Sequence, residues 1–136
     1  MILGISHITL TVSDLERSSD FLKTIFDARE VYVSREKQFS VAAEKFFLIG
    51  DIWICIMEGE PLKERTYHHI AFRIPEEDFD VYTERIKAFG IEIRSGRPRI
   101  AGEGRSVYFY DSDNHLFELH TGTLENRLNA YADFHV

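Results

Sequence analysis

An internal repeat is the sequence feature that most constrains how this chain can fold. The run HITLTV at residues 7–12 and the run HIAFRI at residues 69–74 both open with histidine and then carry apolar residues at alternate positions. Alternation of that kind predicts a β-strand with one buried face. A helical segment, a short strand and a hairpin follow each run, so the pattern recurs with a period of about 60 residues. The sequence therefore predicts an α+β fold made of two βαβββ modules.

The 136 residues are predicted to form a single domain, because a chain of this length can bury one core. The first module is expected to cover about residues 1–60 and the second about residues 66–122, with a helix over about residues 123–133 after them. The segment between the modules contains Pro61 and several charges. Such a composition favours a linker over a strand.

The pattern within the modules also predicts individual elements. The first strand is expected from Met1 to Val12. A helix capped by Ser13 or Asp14 is expected from about Leu15 to Phe26. Residues 39–41 are expected to be strand-like. The second helix is expected over residues 76–89, before Gly90, because glycine favours a helix C-terminus.

A hairpin near the C-terminus carries a charge that needs a partner. Residues 105–122 read RSVYFYDSDNHLFELHTG, which is typical of an aromatic strand, a polar turn and an apolar return strand. Glu118 lies in the middle of the return strand, between Phe117 and Leu119. A carboxylate in so apolar a strand is costly unless something pairs with it. A cation is therefore expected beside Glu118.

His7, His69 and Glu118 are the candidate metal ligands. The two histidines occupy the same place in the two modules, and two imidazoles with a carboxylate form an open divalent site of the kind used in Mn²⁺ or Fe²⁺ chemistry. Three protein ligands leave positions for water and substrate, as catalysis requires. Either histidine taken alone is more often a hydrogen-bonded strand residue. The repeat favours the metal site because it places both histidines in register.

A basic loop in an acidic chain is the second candidate site. Arg94, Arg97, Arg99 and Arg105 lie among glycines, and guanidinium groups match the oxygens of a phosphate or phosphonate. A solvated loop is the ordinary interpretation of any one arginine, so one or two of them are expected to touch an anionic ligand. Glu44 is the third feature. By sequence alone a surface position at a strand edge is its stronger interpretation, unless the reaction needs a carboxylate base.

Charge and cysteine content exclude several classes of function. A net charge of −7 disfavours binding to nucleic acid or to an anionic membrane, and no apolar run approaches the roughly 20 residues that span a bilayer. Cys55 is the only cysteine and lies in an apolar run, so it is expected to be a buried, reduced thiol. The N-terminal segment has no basic start and no long apolar stretch, which predicts a cytoplasmic protein.

Several motifs together identify a family. They are the runs HITL at residue 7, GDIWICI at residue 50, HIAF at residue 69, GRSVYFYD at residue 104 and FELHTGTLENRL at residue 117. With them the chain closely resembles, over nearly its whole length, the fosfomycin resistance proteins of the vicinal oxygen chelate (glyoxalase) superfamily. The branch it resembles most is the FosX type, which is a Mn²⁺-dependent hydrolase. Enzymes of that branch open the epoxide of fosfomycin with water to give a vicinal diol.

The resemblance implies roles for individual residues. His7, His69 and Glu118 would bind Mn²⁺ or another divalent ion. The family forms a homodimer with exchanged paired motifs, so His7 would come from one subunit and the other two ligands from its partner. Glu44 would be the base for water, which must lose a proton as it attacks, whereas a thiolate needs no base. The positions that line the substrate pocket or hold its phosphonate would be Thr9, Trp53, Ser106, Tyr108 and Arg127, with Arg97 or Arg99 in place of a lysine of the thiol-using branch.

The same resemblance bears on cosubstrates and on the alternatives. The thiol-using branch has a K⁺-binding loop, and Gly102 stands where its serine would be, so the resemblance gives no support for K⁺ dependence. The resemblance to the water-using branch implies that no thiol cosubstrate is needed. One alternative is a fosfomycin thiol transferase on the same scaffold. Others are a different chelate-type reaction, such as that of lactoylglutathione lyase or of an epimerase, and a metal-free drug-binding module like the bleomycin-binding proteins. The fold alone would not separate these functions.

Overall fold

The computed structural model describes residues 1–35 and 37–134, which divide into two compact units. The first unit contains Met1–Arg65 and the turn Asp111–His115. The second contains Thr66–Tyr110 and the chain from Leu116 onward. Each unit holds one four-stranded sheet.

The first unit contains one helix and four strands. In chain order they are β1 (Ile8–Val12), α1 (Leu15–Phe26), β2 (Arg29–Val33), β3 (Glu44–Ile49) and β4 (Ile52–Glu58). The strand order is β1-β4-β3-β2, with β1 parallel to β4 and the other neighbours antiparallel. Strands β3 and β4 join at Gly50, whose φ of +57° is a conformation that glycine adopts without strain.

The second unit repeats this arrangement. Its elements are β5 (His69–Arg73), a 3₁₀ turn (Glu76–Asp78), α2 (Phe79–Ala88), β6 (Ile93–Arg94), β7 (Ser106–Tyr110), β8 (Leu116–His120) and α3 (Leu124–Asp133). The strand order is β5-β8-β7-β6, and β5 runs parallel to β8. In both sheets the first strand of the unit therefore pairs in parallel with the last. The predicted α+β fold of two βαβββ modules is confirmed.

Local sequence signals account for helix α1. The Asp14 side chain accepts a hydrogen bond from the Arg17 N–H and so satisfies one of the free amides of the first turn. The helix ends at Asp27, which has the left-handed φ of +55° common at helix C-termini. Burial of each large apolar side chain contributes about 1.5–3 kcal/mol. The buried apolar stripe of α1 is Phe21, Leu22, Ile25 and Phe26.

Strand β8 is the centre of the second unit because all five of its residues are buried. On one face, the ring of Phe117 lies 6.1 Å from the ring of Phe109 and 6.5 Å from that of Phe72. Side chains alternate across the strand, so Glu118 faces the other way. Polar groups on that second face must therefore satisfy one another or a ligand.

Two predicted element boundaries and one predicted strand are wrong. The first strand begins at Ile8, where its pairing with β4 starts, because the residues before it have no strand partner. Residues 39–41 form no strand, and the side chains of Phe39 and Val41 are exposed. Helix α2 begins at Phe79, since the turn after Pro75 has 3₁₀ geometry. Among the described residues, no helix has the length and apolar character needed to cross a bilayer.

Candidate metal and substrate site

Strand register places the candidate ligands of the second unit on one face of its sheet. Ala71 of β5 and Tyr108 of β7 both lie opposite Glu118 of β8. His69 precedes Ala71 by two residues and so shares its face. The Glu118 residue is only 4% exposed. This register brings an imidazole and a buried carboxylate together although 49 positions separate them in sequence.

The imidazole of His69 points a nitrogen at the Glu118 carboxylate. His69 Nε2 lies 3.0 Å from Glu118 Oε1, and His69 Nδ1 lies 2.6 Å from the carbonyl oxygen of Tyr67. A carbonyl only accepts, so Nδ1 carries the proton in this bond, and the neutral ring then has its lone pair on Nε2. Two lone pairs that face each other at this distance repel, and a proton or a metal ion bound by both atoms would remove that repulsion. An imidazole nitrogen and a carboxylate oxygen also suit Mn²⁺, so the donor set fits a divalent ion.

The other carboxylate oxygen of Glu118 is held by protein donors. Ser106 Oγ donates to Glu118 Oε2 at 2.6 Å, and Arg99 Nη2 approaches the same oxygen at 3.5 Å. Hydrogen bonds of this kind orient a ligand and leave its second oxygen free for a metal. The carboxylate is therefore preorganised, with Oε1 directed at the imidazole.

His120 extends this hydrogen-bonded group toward helix α3. Its Nδ1 lies 2.6 Å from Ser106 Oγ, and its Nε2 lies 3.5 Å from Arg127 Nη2. Because Ser106 donates to Glu118, it accepts from His120 Nδ1–H, which leaves Nε2 to accept from Arg127. Burial lowers the pKa of His120, consistent with a neutral ring in this arrangement.

Two of the four loop arginines contact buried polar groups of the second unit. Arg99 Nη2 donates to the Tyr108 hydroxyl at 2.7 Å, and the Tyr67 hydroxyl approaches the same oxygen at 3.4 Å. Burial raises the pKa of Tyr108, so its hydroxyl stays neutral. Arg97 hydrogen-bonds to Glu103 and to the Tyr131 hydroxyl. A guanidinium and a phenol thus lie beside Glu118.

The other two arginines of the loop are paired at the surface. Arg94 lies 3.1 Å from Glu92, and Arg105 lies 2.7 Å from Glu76. Both pairs involve half-exposed side chains, and surface pairs of this type contribute little to stability. That one or two of the loop arginines touch an anionic ligand stays a prediction.

Glu103 organises the loop, and the sequence analysis did not identify it. Its side chain is fully buried and accepts hydrogen bonds from Arg97, Arg99, the Tyr131 hydroxyl and the Ile100 N–H. The hydrogen bond from Arg97 is the main reason why the pKa of Glu103 lies far below its usual range. The sequence feature that could have pointed to Glu103 is its position between two glycines. Both glycines have a positive φ, of +87° and +93°, so the backbone of this loop is constrained.

The first unit carries its own group of predicted site residues. The exposed imidazole of His7 lies against Trp53, with 4.3 Å between ring centroids, and its Nδ1 lies 3.0 Å from Ser6 Oγ. Thr9 follows in β1 and is also exposed. Trp53 Nε1 is buried and has no hydrogen-bond partner among the described residues. A ligand acceptor at this nitrogen would remove the cost of that unsatisfied donor.

Glu44 is not the surface residue that its sequence context favoured. It begins β3, is 7% exposed, and its backbone is held by Ser34 on both sides, through Ser34 N–H to the Glu44 carbonyl and Glu44 N–H to Ser34 Oγ. Its Oε2 lies 3.5 Å from the sulfur of Cys55. Cys55 is buried and free, as predicted. Glu44 is therefore a carboxylate fixed at a buried position in the first sheet.

Comparison with known proteins agrees with the fold and with the motifs. The model of the Glyoxalase/Bleomycin resistance protein/Dioxygenase superfamily matches residues 4–119. Fosfomycin resistance protein FosX from Listeria monocytogenes is 62% identical over 131 residues, which cover 96% of this chain and 98% of that protein. A crystal structure of a FosX mutant from the same organism, complexed with Mn(II) and 1S,2S-dihydroxypropylphosphonic acid, has a TM-score of 0.87 and 61% identity. The match covers 96% of this chain and 99% of the FosX mutant chain.

The thiol-using branch is more distant. Metallothiol transferase FosB from Bacillus licheniformis is 38% identical over 136 residues, which cover 96% of this chain and 82% of that protein. The predicted resemblance to the FosX type is confirmed by this difference in identity. The chain therefore belongs to the glyoxalase/bleomycin resistance protein/dioxygenase superfamily.

Proposed function

We propose that this protein is a Mn²⁺-dependent epoxide hydrolase that inactivates fosfomycin by adding water to its epoxide ring. The observation that carries the proposal is the pair formed by His69 Nε2 and the buried Glu118 Oε1, 3.0 Å apart on one face of the second sheet. The 62% identity to FosX supports it, as does the complex of a FosX mutant with Mn(II) and a dihydroxypropylphosphonic acid. That acid is the vicinal diol expected from hydration of the epoxide.

The metal would be held by His69 and Glu118 of one subunit and by His7 of a second subunit. This assignment extends the family's homodimer with exchanged paired motifs to the present chain. When bound, the metal would act as a Lewis acid that stabilises negative charge on the epoxide oxygen. Ser106 and the Tyr67 carbonyl would keep the two ligands of one subunit in orientation.

The phosphonate of the substrate would be bound by the polar groups beside Glu118. Arg99 and Tyr108 already point at this face, and Arg127 lies beside His120 at its edge. Arg97 is occupied by Glu103 and Tyr131, so its proposed contribution is to the positive potential around the phosphonate. We assign Thr9, Trp53 and Ser106 to the walls of the pocket.

Glu44 would act as the general base in ring opening. A water oxygen bonds to an epoxide carbon while that carbon's bond to the ring oxygen breaks and its electron pair moves to the oxygen. The water loses a proton to the Glu44 carboxylate, and the released oxygen takes up a proton, so the product is a diol. Water is a poor nucleophile without such a base. Burial of Glu44 on a strand suits the role because a fixed base needs little reorganisation.

Water is thus the proposed cosubstrate, and no thiol or K⁺ is required. The proposed setting is the cytoplasm, where a single thiol such as that of Cys55 stays reduced. A thiol transferase is the second candidate, since FosB shares 38% identity with the chain. The two functions differ in the cosubstrate and can be separated directly.

The decisive experiment is phosphorus NMR of fosfomycin incubated with metal-stripped protein, with and without Mn²⁺, and with and without a thiol. We expect the diol to form only with Mn²⁺ and at a rate that thiol does not change. A product that requires thiol would identify a transferase. Absence of any product would refute fosfomycin as the substrate, and failure to bind Mn²⁺ would favour a drug-binding module.

The roles of Glu44 and of the shared metal site have their own tests. We expect Glu44→Gly to abolish hydration while Mn²⁺ affinity stays nearly unchanged, and Glu58→Gln, an exposed change at the end of β4, to leave the rate unaltered. Retained hydration in Glu44→Gly would remove this residue from the mechanism.

For the shared site, inactive His7→Ala and Glu118→Ala chains are mixed and re-assembled. If the ligands are exchanged between subunits, half of the dimers are mixed and each has one intact site of two, so about a quarter of the parent activity is recovered. If all three ligands come from one subunit, no intact site forms and no activity is recovered.

A further inference from the structure

The registers of the two sheets show which residues correspond between the modules. In the second unit, Glu118 lies opposite Ala71, two positions after His69. In the first unit, Cys55 lies opposite Thr9, two positions after His7. Cys55 therefore occupies the position in its module that the carboxylate of Glu118 occupies in the other.

The neighbouring strands extend this correspondence to a second pair. Phe46 lies opposite Cys55, and Tyr108 lies opposite Glu118. Two residues before each, Glu44 and Ser106 occupy matching diagonal positions. Such diagonal neighbours are within reach of one another across an antiparallel pair.

Both diagonal pairs are hydrogen-bonded, with the donor and acceptor exchanged between strands. In the second unit the Ser106 hydroxyl on the third strand donates to the Glu118 carboxylate on the fourth, at 2.6 Å. In the first unit the carboxylate, Glu44, is on the third strand, and the Cys55 thiol donates to its Oε2 from the fourth, at 3.5 Å. At this place in its sheet, each module thus has a buried carboxylate beside a hydroxyl or thiol donor.

The state of the thiol suits donation and not nucleophilic attack. Burial and the nearby charge of Glu44 raise the pKa of Cys55 to about 11, so the sulfur keeps its proton. Cys55 is 3% exposed. A buried, protonated thiol beside a carboxylate has an available S–H donor, which is weak but directional.

We propose that Cys55 is a positioning residue that holds the Glu44 carboxylate, through its S–H donor, in the orientation in which Glu44 takes a proton from water. This inference rests on the proposed function, in which Glu44 is the base. Ser106 holds the Glu118 carboxylate in the corresponding way. The first module thus orients the Glu44 carboxylate to accept a proton, and the second orients the Glu118 carboxylate to bind a metal. Cys55 itself does not touch the substrate.

Two substitutions separate a donor role from simple packing. Cys55→Ala removes the donor and Cys55→Ser restores one as O–H. In Mn²⁺-loaded protein we expect Cys55→Ala to lower kcat by about tenfold, the equivalent of one hydrogen bond to a charged group. KM and Mn²⁺ affinity should change by less than about twofold, because Cys55 contacts neither the substrate nor the metal in the ground state. Cys55→Ser should recover kcat to within about threefold of the parent, although it leaves a smaller side chain.

A spectroscopic measurement tests the contact without fosfomycin or metal. Because Cys55 is the only thiol in the chain, its S–H stretching band can be assigned in the infrared spectrum of the metal-free protein. We expect the band at lower frequency than that of a free thiol and an upward shift in Glu44→Ala. Glu58→Gln, remote from the thiol in the same strand, serves as the matched control and should leave the band in place.

The outcomes distinguish this inference from the proposed function. A band that Glu44→Ala does not move would refute the contact, whatever the enzyme does. An unchanged kcat in Cys55→Ala, or a kcat in Cys55→Ser as low as in Cys55→Ala, would refute the positioning role while hydration stands. A parent protein that forms no diol would refute the proposed function and the role that depends on it. A shifted band together with recovery by Cys55→Ser supports the inference.

Discussion

The buried carboxylate of Glu103 gives the sharpest prediction on stability. Glu103→Gln keeps the shape of the side chain but removes its charge and one acceptor. In the parent, Glu103 Oε1 accepts hydrogen bonds from Arg99 and Tyr131, and Oε2 accepts one from the Ile100 N–H. If the glutamine oxygen takes the place of Oε1, the new NH₂ group takes the place of Oε2 and faces the Ile100 N–H. Two donors would oppose each other in a site with no exposure to water. The substitution should therefore destabilise the fold without leaving a cavity.

The magnitude follows from these contacts. The orphaned Ile100 N–H costs about 2 kcal/mol, and the lost charge opposite Arg99, whose side chain is 15% exposed, costs about 1 kcal/mol more. Arg97 is 40% exposed, so solvent screens its charge, and its pair with Glu103 adds less to stability than its effect on the pKa of Glu103 alone would indicate. With an unfolding entropy of about 2.1 cal/mol/K per residue, about 3 kcal/mol lowers the Tm of this 136-residue chain by about 10 °C.

The difference between the parent and Glu103→Gln should also depend on pH. The pKa of Glu103 is depressed in the folded state, chiefly by its hydrogen bond from Arg97. Stability from such a group is fully present above the unfolded pKa of about 4.3 and is lost as the pH falls toward the folded pKa. The gap in Tm should therefore be full at neutral pH and shrink in acid.

Thermal unfolding of metal-free protein, followed by circular dichroism at neutral pH and at pH values below about 4, measures both effects. Glu92→Gln is the matched control, because it removes the same charge from an exposed pair with Arg94. We expect that control to change stability by less than about 0.5 kcal/mol. A Glu103→Gln protein as stable as the control, or a gap that does not narrow in acid, would contradict the role assigned to Glu103.

Three further changes test the site and the fold. Ser106→Ala should weaken Mn²⁺ binding by about tenfold or more, since it frees Glu118 Oε2, and calorimetric titration would detect this; unchanged affinity would count against orientation of the ligand. Phe117→Ala should destabilise the protein by about 3–5 kcal/mol, because the ring is fully buried between two sheet neighbours, as urea unfolding can show. Thr123→Ala should cost about 1 kcal/mol through loss of its capping bond to Asn126, and a larger loss would indicate a further role.

Local patterns in the sequence predicted most of the architecture. Helix α1 spans the predicted residues because its apolar spacing and the Asp14 cap act over a few positions. The two strands that follow the histidines alternate as expected, with Val12 and Phe72 buried. The predictions failed where a strand needs a partner, as in residues 1–7. A β-prone segment forms no strand unless another strand provides its hydrogen bonds.

Contacts between distant residues were less predictable. Glu44 was assigned to the surface by its local sequence, yet it is buried against Cys55 because β3 pairs with β4. The sequence did not predict the burial of Glu103, because a glutamate between two glycines is usually solvated. Its burial depends on two arginines of its own loop and on Tyr131, which reaches it from helix α3.

The sequence by itself determined the repeated module, the strand faces and the identity of the candidate ligands, since these depend on spacing along the chain. Only the tertiary structure decided that His69 Nε2 faces Glu118 Oε1, that Ser106 holds the second oxygen, and that Glu44 has a thiol donor. The physical reason is that strand register sets which side chains meet across a sheet. A shift of one residue would turn each of them to the opposite face.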